Sequence, residues 1–278
     1  MRPRSLASAL LVMTALPALA ETAGGEPAEP SASGGTRDVP ARLSDVTIVG
    51  SSEAARDIGG AAHFIGPEEL GQFQYADTLR VLKSVPGVYL QDEEGFGLRP
   101  NIGIRGSGLD RSSRIAVLED GVLMAPAPYA SPSAYYFPTQ RRMYAMEVLK
   151  GPASIPVGPR TIGGALNMVS TPIPDQWTFY GDAFAGADAT RDILVRGGGS
   201  GDHFGLLFET VQQESDGFKE IDANSYNTDT GYDIEDYLFR GRVNTDPAGL
   251  WYTGVEFKYG VNLLEAVAFL PAVRRNPA

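Results

Sequence analysis

Histidine, cysteine, serine and paired carboxylates would carry any catalysis or metal binding here, and their supply is thin. The sequence has no cysteine, which excludes disulfides, thiolate metal sites and cysteine nucleophiles. It has two histidines, His63 and His203, too few for a histidine-rich metal centre. A serine hydrolase needs a histidine to orient its nucleophile. Neither histidine stands in such a context, and no Gly-x-Ser-x-Gly elbow occurs. The acidic run Asp92-Glu93-Glu94 reads as a solvated loop rather than a glycosidase pair. The stretch from Gly151 to Arg160 lacks the Gly-Lys-Ser/Thr ending of a phosphate loop, and its prolines remove backbone donors such a loop needs. Gly106-Ser107-Gly108 lacks the spacing of a dinucleotide fingerprint. No enzyme, metal site or cofactor is expected. A formal net charge of −11 also argues against nucleic acid as a partner.

What remains is binding chemistry, and the elements that would position it can be read along the chain. Arg2 and Arg4 precede a mostly apolar run from Leu6 to Leu16, and Ala18-Leu19-Ala20 has the small-x-small form read by signal peptidase. Residues 1–20 are therefore expected to be a signal peptide cleaved after Ala20. No later segment holds about 18 continuous apolar residues, so any entry into a membrane would be as a β-barrel. Residues 21–42, rich in Ala, Gly, Pro, Glu and Ser, read as a flexible linker. Residues 43–50 are β-prone. On these residues alone the plainer reading is an ordinary first strand, and the sharper one is a strand donated to a partner's sheet edge.

Residues 51–172 mix short helices and strands. Pro67 opens a helical turn, Asp77 is placed to cap a helix carrying Leu79, Leu82 and Val85, and Pro86-Gly87 ends it. Strands are expected at Val88–Leu90, Asn101–Gly106, Arg114–Glu119, Ala145–Leu149 and Ala165–Ser170, with Asp120-Gly121 turning a hairpin into Val122–Met124. From about Trp177 the texture changes to runs of alternating residues. Phe204, Leu206 and Phe208 oppose Gly205, Leu207 and Glu209; Tyr237, Phe239 and Val243 oppose Leu238, Arg240 and Arg242; Trp251, Val255 and Phe257 oppose Tyr252, Glu256 and Lys258. One apolar, aromatic face and one charged face is the pattern of a membrane β-barrel, and a soluble β-sandwich alternates in the same way.

Several runs in order resemble the plug of TonB-dependent outer-membrane receptors. Asp45-Val46-Thr47-Ile48-Val49 resembles the TonB box, and Val85-Pro86-Gly87-Val88 the stretch after the first helix. Ile102-Gly103-Ile104-Arg105-Gly106 resembles the I-R-G motif, and Val117-Leu118-Glu119-Asp120-Gly121-Val122 the family's hairpin. Glu147 to Pro152 and Gly163 to Ser170 resemble the closing block. The Ala125–Pro132 loop, with Ala127-Pro128-Tyr129, is most similar to the ferric citrate receptor subgroup. The resemblance implies an α+β plug domain, a small mixed sheet with short helices, over residues 51–172. Antiparallel β-strands of an incomplete outer-membrane β-barrel would follow over residues 173–278. A complete barrel of the family has about 22 strands, so the chain is expected to be a fragment of such a receptor, the alternative being a truncated, non-functional product of its gene. A soluble exported β-rich module and a signal-transducing receptor are the other readings. Residues 21–44 are too short and too polar for the extra domain a transducer carries.

The resemblance also implies roles. TonB would pair with Asp45, Val46, Thr47, Ile48 and Val49 and pull, using main-chain bonds for grip, while outer-membrane lipid surrounds the strands. Arg105 and Arg160 would pair with barrel carboxylates and hold the plug. A ferric chelate, with ferric citrate as the named expectation, would meet the apical loops Gln91–Pro100, Ser107–Arg111 and Met124–Pro132 through Arg99, Arg111 and Tyr129.

Overall fold

A computed structural model of the chain describes residues 48–73, 77–92, 95–124, 136–218, 230–244 and 254–266. The expected leader and linker, Asp45, Val46, Thr47, Tyr129 and Trp251 lie outside these residues.

The first part of the chain builds a mixed sheet. A short helix α1 (Ala54–Asp57) leads to β1 (Ala61–Ile65), α2 (Pro67–Phe73) and α3 (Thr78–Leu82). Helix α3 starts where an oxygen is available for its orphan donors: the Asp77 carboxylate accepts the Leu79 N–H at 2.7 Å. It buries Leu79, Val81 and Leu82. A two-stranded ladder of β2 (Val88–Gln91) and β3 (Asn101–Ile104) follows. Next come β4 (Ile115–Glu119), β5 (Val122–Leu123), β6 (Met143–Lys150) and β7 (Gly164–Ser170), which join β1 in the order β1-β6-β7-β4-β5. The β4–β7 pair is parallel and the others antiparallel, so the sheet is mixed. Strand β6 begins earlier than its apolar run suggests, with an irregular step between Met143 and Ala145.

Period-two alternation gives this sheet two unlike faces. Ile115, Val117, Met146, Val148, Leu166 and Met168 pack against α3 and the β2–β3 ladder. The opposite face carries the smaller Ala116 and Ala165 with Leu118 and Leu149, and Ala153, just after β6, packs with them. Small side chains leave room for the incoming chain to lie close, and Val49 packs there at 7% exposure. The β4–β5 turn needs positive φ at both central residues, and Asp120 (49°) and Gly121 (77°) supply it.

The rest of the described chain is an antiparallel meander of β8 (Thr178–Ala185), β9 (Arg191–Ser200), β10 (Phe204–Ser215), β11 (Tyr232–Asn244) and β12 (Gly254–Ala266). Its alternation follows the expectation. On β10 Leu207 is 1% exposed and Glu209 0%, whereas Leu206 and Phe208 are 40% and 49% exposed. Phe239, Val243, Val255, Phe257 and Tyr259 extend the exposed apolar face. The inner face packs on the mixed sheet and carries Asp182, Asp192, Asp236 and Arg240. Among the described residues this sheet is open, with β8 and β12 at its edges.

Candidate functional site at the seam between the two sheets

The seam is polar, and most of its charges are shared between two partners. From the mixed sheet's side, Arg141 reaches Asp182 at 2.6 Å and Asp192 at 3.1 Å. Arg142, 2% exposed, reaches Glu119 at 2.8 Å and Asp236 at 3.1 Å. The Tyr136 hydroxyl donates to Glu119 at 3.0 Å. From the meander, Lys258 donates to Glu119 at 2.6 Å and also to Asp120. Arg240 meets Asp120 at 3.1 Å and donates to the Thr171 carbonyl at 2.9 Å. Asp120 also accepts the backbone N–H and the hydroxyl of Ser170, at 2.8 and 2.6 Å.

Burial alone would push these carboxyls towards neutrality. Burial opposes ionisation of Glu119, but Arg142 and Lys258 outweigh it and hold its carboxyl down at about 2. Burial likewise opposes ionisation of Asp120, and Lys258 and Arg240 override it. Burial pushes the Tyr136 hydroxyl up, so it remains a donor to Glu119. The seam thus carries a set of buried charges of both signs, beside a small apolar cluster of Ile173, Leu207 and Leu238.

The chain enters this assembly on a single side chain. The backbone N–H groups of Ile48, Val49 and Gly50 all donate to the Glu147 carboxylate, at 2.8, 2.9 and 2.8 Å. Glu147 is 0% exposed and accepts a further bond from Asn167 at 2.8 Å. Of the proposed box residues, then, Ile48 is partly exposed and Val49 is packed into the sheet's second face.

The other expected site residues fall as follows. Arg99 and Arg111 are exposed and belong to one stapled corner. Buried Ser112 donates to the Pro100 carbonyl at 3.1 Å and accepts the Ile102 N–H at 3.0 Å, tying the loop of Arg99 to the turn of Arg111. Arg111 itself has a left-handed φ of 45°. Arg105 and Arg160 have exposed side chains and φ values of 52° and 68°. The Arg105 guanidinium lies against Gly151, where a Cβ would come within 2.7 Å of Nη1. Burial and the charge of Arg105 lower the pKa of Lys150, which donates to the Pro86 carbonyl at 2.7 Å. Ion pairs across the seam are described at Arg141, Arg142, Glu119 and Asp120.

Sequence reasoning did not single out those four, nor Glu147 as an acceptor. A usable signal existed: Arg141-Arg142 stands directly before an apolar strand, and Asp192 and Asp236 fall at inward positions of their strands. It also missed Phe96. That ring lies edge-on to Phe218 and Tyr232, at 5.2 and 4.8 Å between centroids, and links the loop of Arg99 to the β10–β11 end of the meander.

Comparisons with known proteins bear on what this arrangement is. The family model described as the TonB-dependent receptor plug domain matches residues 54–165. An iron-regulated outer membrane virulence protein of Vibrio cholerae is 29% identical over 139 residues, covering 48% of this chain and 20% of that protein. The vitamin B12 transporter BtuB of Vibrio vulnificus is 26% identical over 181 residues, covering 65% of this chain and 29% of that one. Among solved structures, the unliganded ferric citrate transporter FecA aligns with a TM-score of 0.61 at 21% identity, over 78% of this chain and 34% of that one. The ferric yersiniabactin uptake receptor FyuA of Yersinia pestis aligns at 0.59 and 15% identity, over 74% and 32%. These structural likenesses concern the fold. The chain spans a fifth to a third of the length of the proteins it matches.

Proposed function

From a chain that belongs to the TonB-dependent receptor family and carries its plug domain, we propose an outer-membrane receptor for energised uptake of a ferric chelate, with TonB as the energy-coupling partner. The observation that carries this reading is the charged seam. Arg141 and Arg142 meet Asp182, Asp192 and Asp236 of the strands, and Glu119 and Asp120 meet Lys258 and Arg240, which together hold the plug to the inner face of the strands. Charged pairs that water can replace are separable, whereas a large apolar interface is not. The outer face supports the same reading. Phe204, Leu206, Phe208, Phe239 and Phe257 are exposed together, which suits lipid and would be a liability for a soluble module.

The strand connections suggest an orientation. In outer-membrane barrels short turns face the periplasm and longer loops face outward. Residues 201–203 make a short turn and residues 216–231 a longer connection at the opposite end. That outward end is where Phe96 meets Phe218 and Tyr232. Arg99 and Arg111 occupy the corner stapled by Ser112, three residues beyond Phe96 in the first case. Two guanidiniums on one corner suit an anionic chelate such as ferric citrate, whose carboxylates can take charge-assisted bonds. Residues 1–20 as a cleaved leader, 21–42 as a tether and 43–50 as the TonB box complete the assignment. The test is uptake of radiolabelled ferric citrate by cells expressing the full-length receptor, with and without TonB. Uptake that requires TonB and fails on Val46→Pro, while surface binding persists, is the expected result. TonB-independent accumulation would remove the reading.

A further inference from the structure

Three consecutive backbone N–H groups on one buried carboxylate is an unusual concentration of donors. Ile48, Val49 and Gly50 supply them, and Glu147 receives all three at 2.8–2.9 Å. Bonds to an ionised acceptor are roughly twice as strong as neutral ones. Glu147 stands on β6, an interior strand between β1 and β7. It faces the side on which small Ala116 and Ala165 let the entering chain lie close. The segment that a pull would load first is therefore fastened to the middle of the sheet.

The fastening continues in the same direction. Asn167, opposite Glu147 in the β6–β7 register, donates through Nδ2 to Glu147 at 2.8 Å. Its Oδ1 accepts the Gly121 N–H at 2.8 Å. Gly121 follows Asp120 in the β4–β5 turn, and Asp120 carries the bonds to Arg240 and Lys258 of the barrel wall. A series of hydrogen bonds, with the Asp120–Gly121 peptide as its one covalent link, thus joins the entering chain to the wall through Glu147 and Asn167.

We propose that Glu147 is the catch for the pulled segment, and that Asn167 transmits its release to the ion pairs that hold the plug at Asp120. Glu147 and Asn167 are positioning residues in this scheme. The inference rests on the receptor reading and adds its release step. Losing three donors leaves a buried carboxylate short of partners, which is costly. On release, Asn167 is left as a protein donor to Glu147; water must replace the other three, and any shift of the Asn167 amide towards Glu147 draws its Oδ1 from the Gly121 N–H. The scheme also limits the box. The N–H groups of Ile48 and Val49 are occupied while the catch is closed, so a partner strand pairs first with residues before Ile48.

These 278 residues hold no cysteine, and any cysteine elsewhere in the full-length receptor is first replaced by serine. A spin label on Thr47→Cys, in the full-length receptor in outer-membrane vesicles without TonB, reports whether the segment is held. Glu147→Gln is expected to raise the mobile fraction about tenfold, the scale of losing one charge-assisted bond. Asn167→Leu and Asp120→Asn are expected to raise it by smaller factors, each non-additively with Glu147→Gln. Arg141→Gln breaks the seam away from this series and is expected to leave the label unchanged. An immobile label in Glu147→Gln overturns the catch. Equal loosening by Arg141→Gln and Asp120→Asn overturns the transmission, because it marks general destabilisation. If Glu147→Gln does not reach the membrane, Ile48→Pro removes one donor from a partly exposed residue, and an immobile label there overturns the catch instead. Failure of the unmutated receptor to bind a soluble periplasmic fragment of TonB would overturn the receptor reading and leave the label results standing.

Discussion

Asp120 and Arg240 meet at 3.1 Å although they stand 120 positions apart, one on a hairpin turn of the plug and the other on the fourth strand of the barrel wall. The same Asp120 is bound by Ser170 and Lys258. One carboxylate therefore fixes the hairpin, the last plug strand and the wall together. The consequences of such pairing can be measured.

Removing one partner of a buried pair should cost far more than removing an exposed one. Arg142 is 2% exposed and serves both Glu119 and Asp236. Arg142→Met leaves Asp236 buried without this cation and Glu119 with Lys258 alone, at a cost of about 3–5 kcal/mol. The Arg191–Glu214 pair is exposed on both sides, and Arg191→Met should stay within about 0.5 kcal/mol. Denaturant midpoints of the two variants check this, and equal shifts would contradict the burial argument.

Acid should loosen the plug from the wall. Glu119 is held at about 2 in the folded protein against an ordinary value of 4.5. A depressed carboxyl contributes stability that is fully present above its unfolded value and is lost as pH falls through the folded one. Asp120 shifts in the same direction. The contribution of Glu119 and Asp120 to plug–wall contact should thus be constant above about pH 5 and should weaken between 4.5 and about 2. Hydrogen exchange at the β4–β5 amides reads this. Protection that rises on acidification would reverse the sign and refute the assignment.

The face of β10 that carries Phe208 should behave as a lipid face. Phe208 is 49% exposed, and its neighbour Leu207 is 1% exposed. Phe208→Lys should cost roughly 2–4 kcal/mol if the position lies near the middle of the bilayer. A surface position in water would change by only about 0.5 kcal/mol or less. Folding into lipid vesicles under a urea series separates the two outcomes.

Replacing Arg99 and Arg111 together with Ala should weaken ferric citrate binding by roughly 2–4 kcal/mol, tenfold or more. Equilibrium binding to the full-length receptor measures it. A double variant that binds ferric citrate with unchanged affinity, or a receptor that prefers a neutral chelate, would remove these arginines from the site.

Much of the fold was legible in the sequence because its signals are local. The alternation around Phe204–Glu209, the Asp120-Gly121 turn and the Asp77 cap each depend on a few adjacent residues and a fixed backbone period. The order of motifs likewise survives as a linear pattern. The site did not read out in the same way. Glu147 looks like one more charge on a strand until residues 48–50 are laid across it, 97 to 99 positions away. Val49 looks like part of a free β-prone run until the small side chains of Ala116 and Ala165 make a bed for it. Lys258 and Glu119, 139 positions apart, carry no local sign that they pair. A charge's partner is set by which surfaces come together, and a one-dimensional pattern records only that the charge exists. Sequence by itself determined the alternation of Phe204–Glu209, the Asp120-Gly121 turn, the Asp77 cap and the order of motifs. Only the tertiary structure decided which carboxylate meets which cation, because that choice is made by burial, where every unpaired charge is costly.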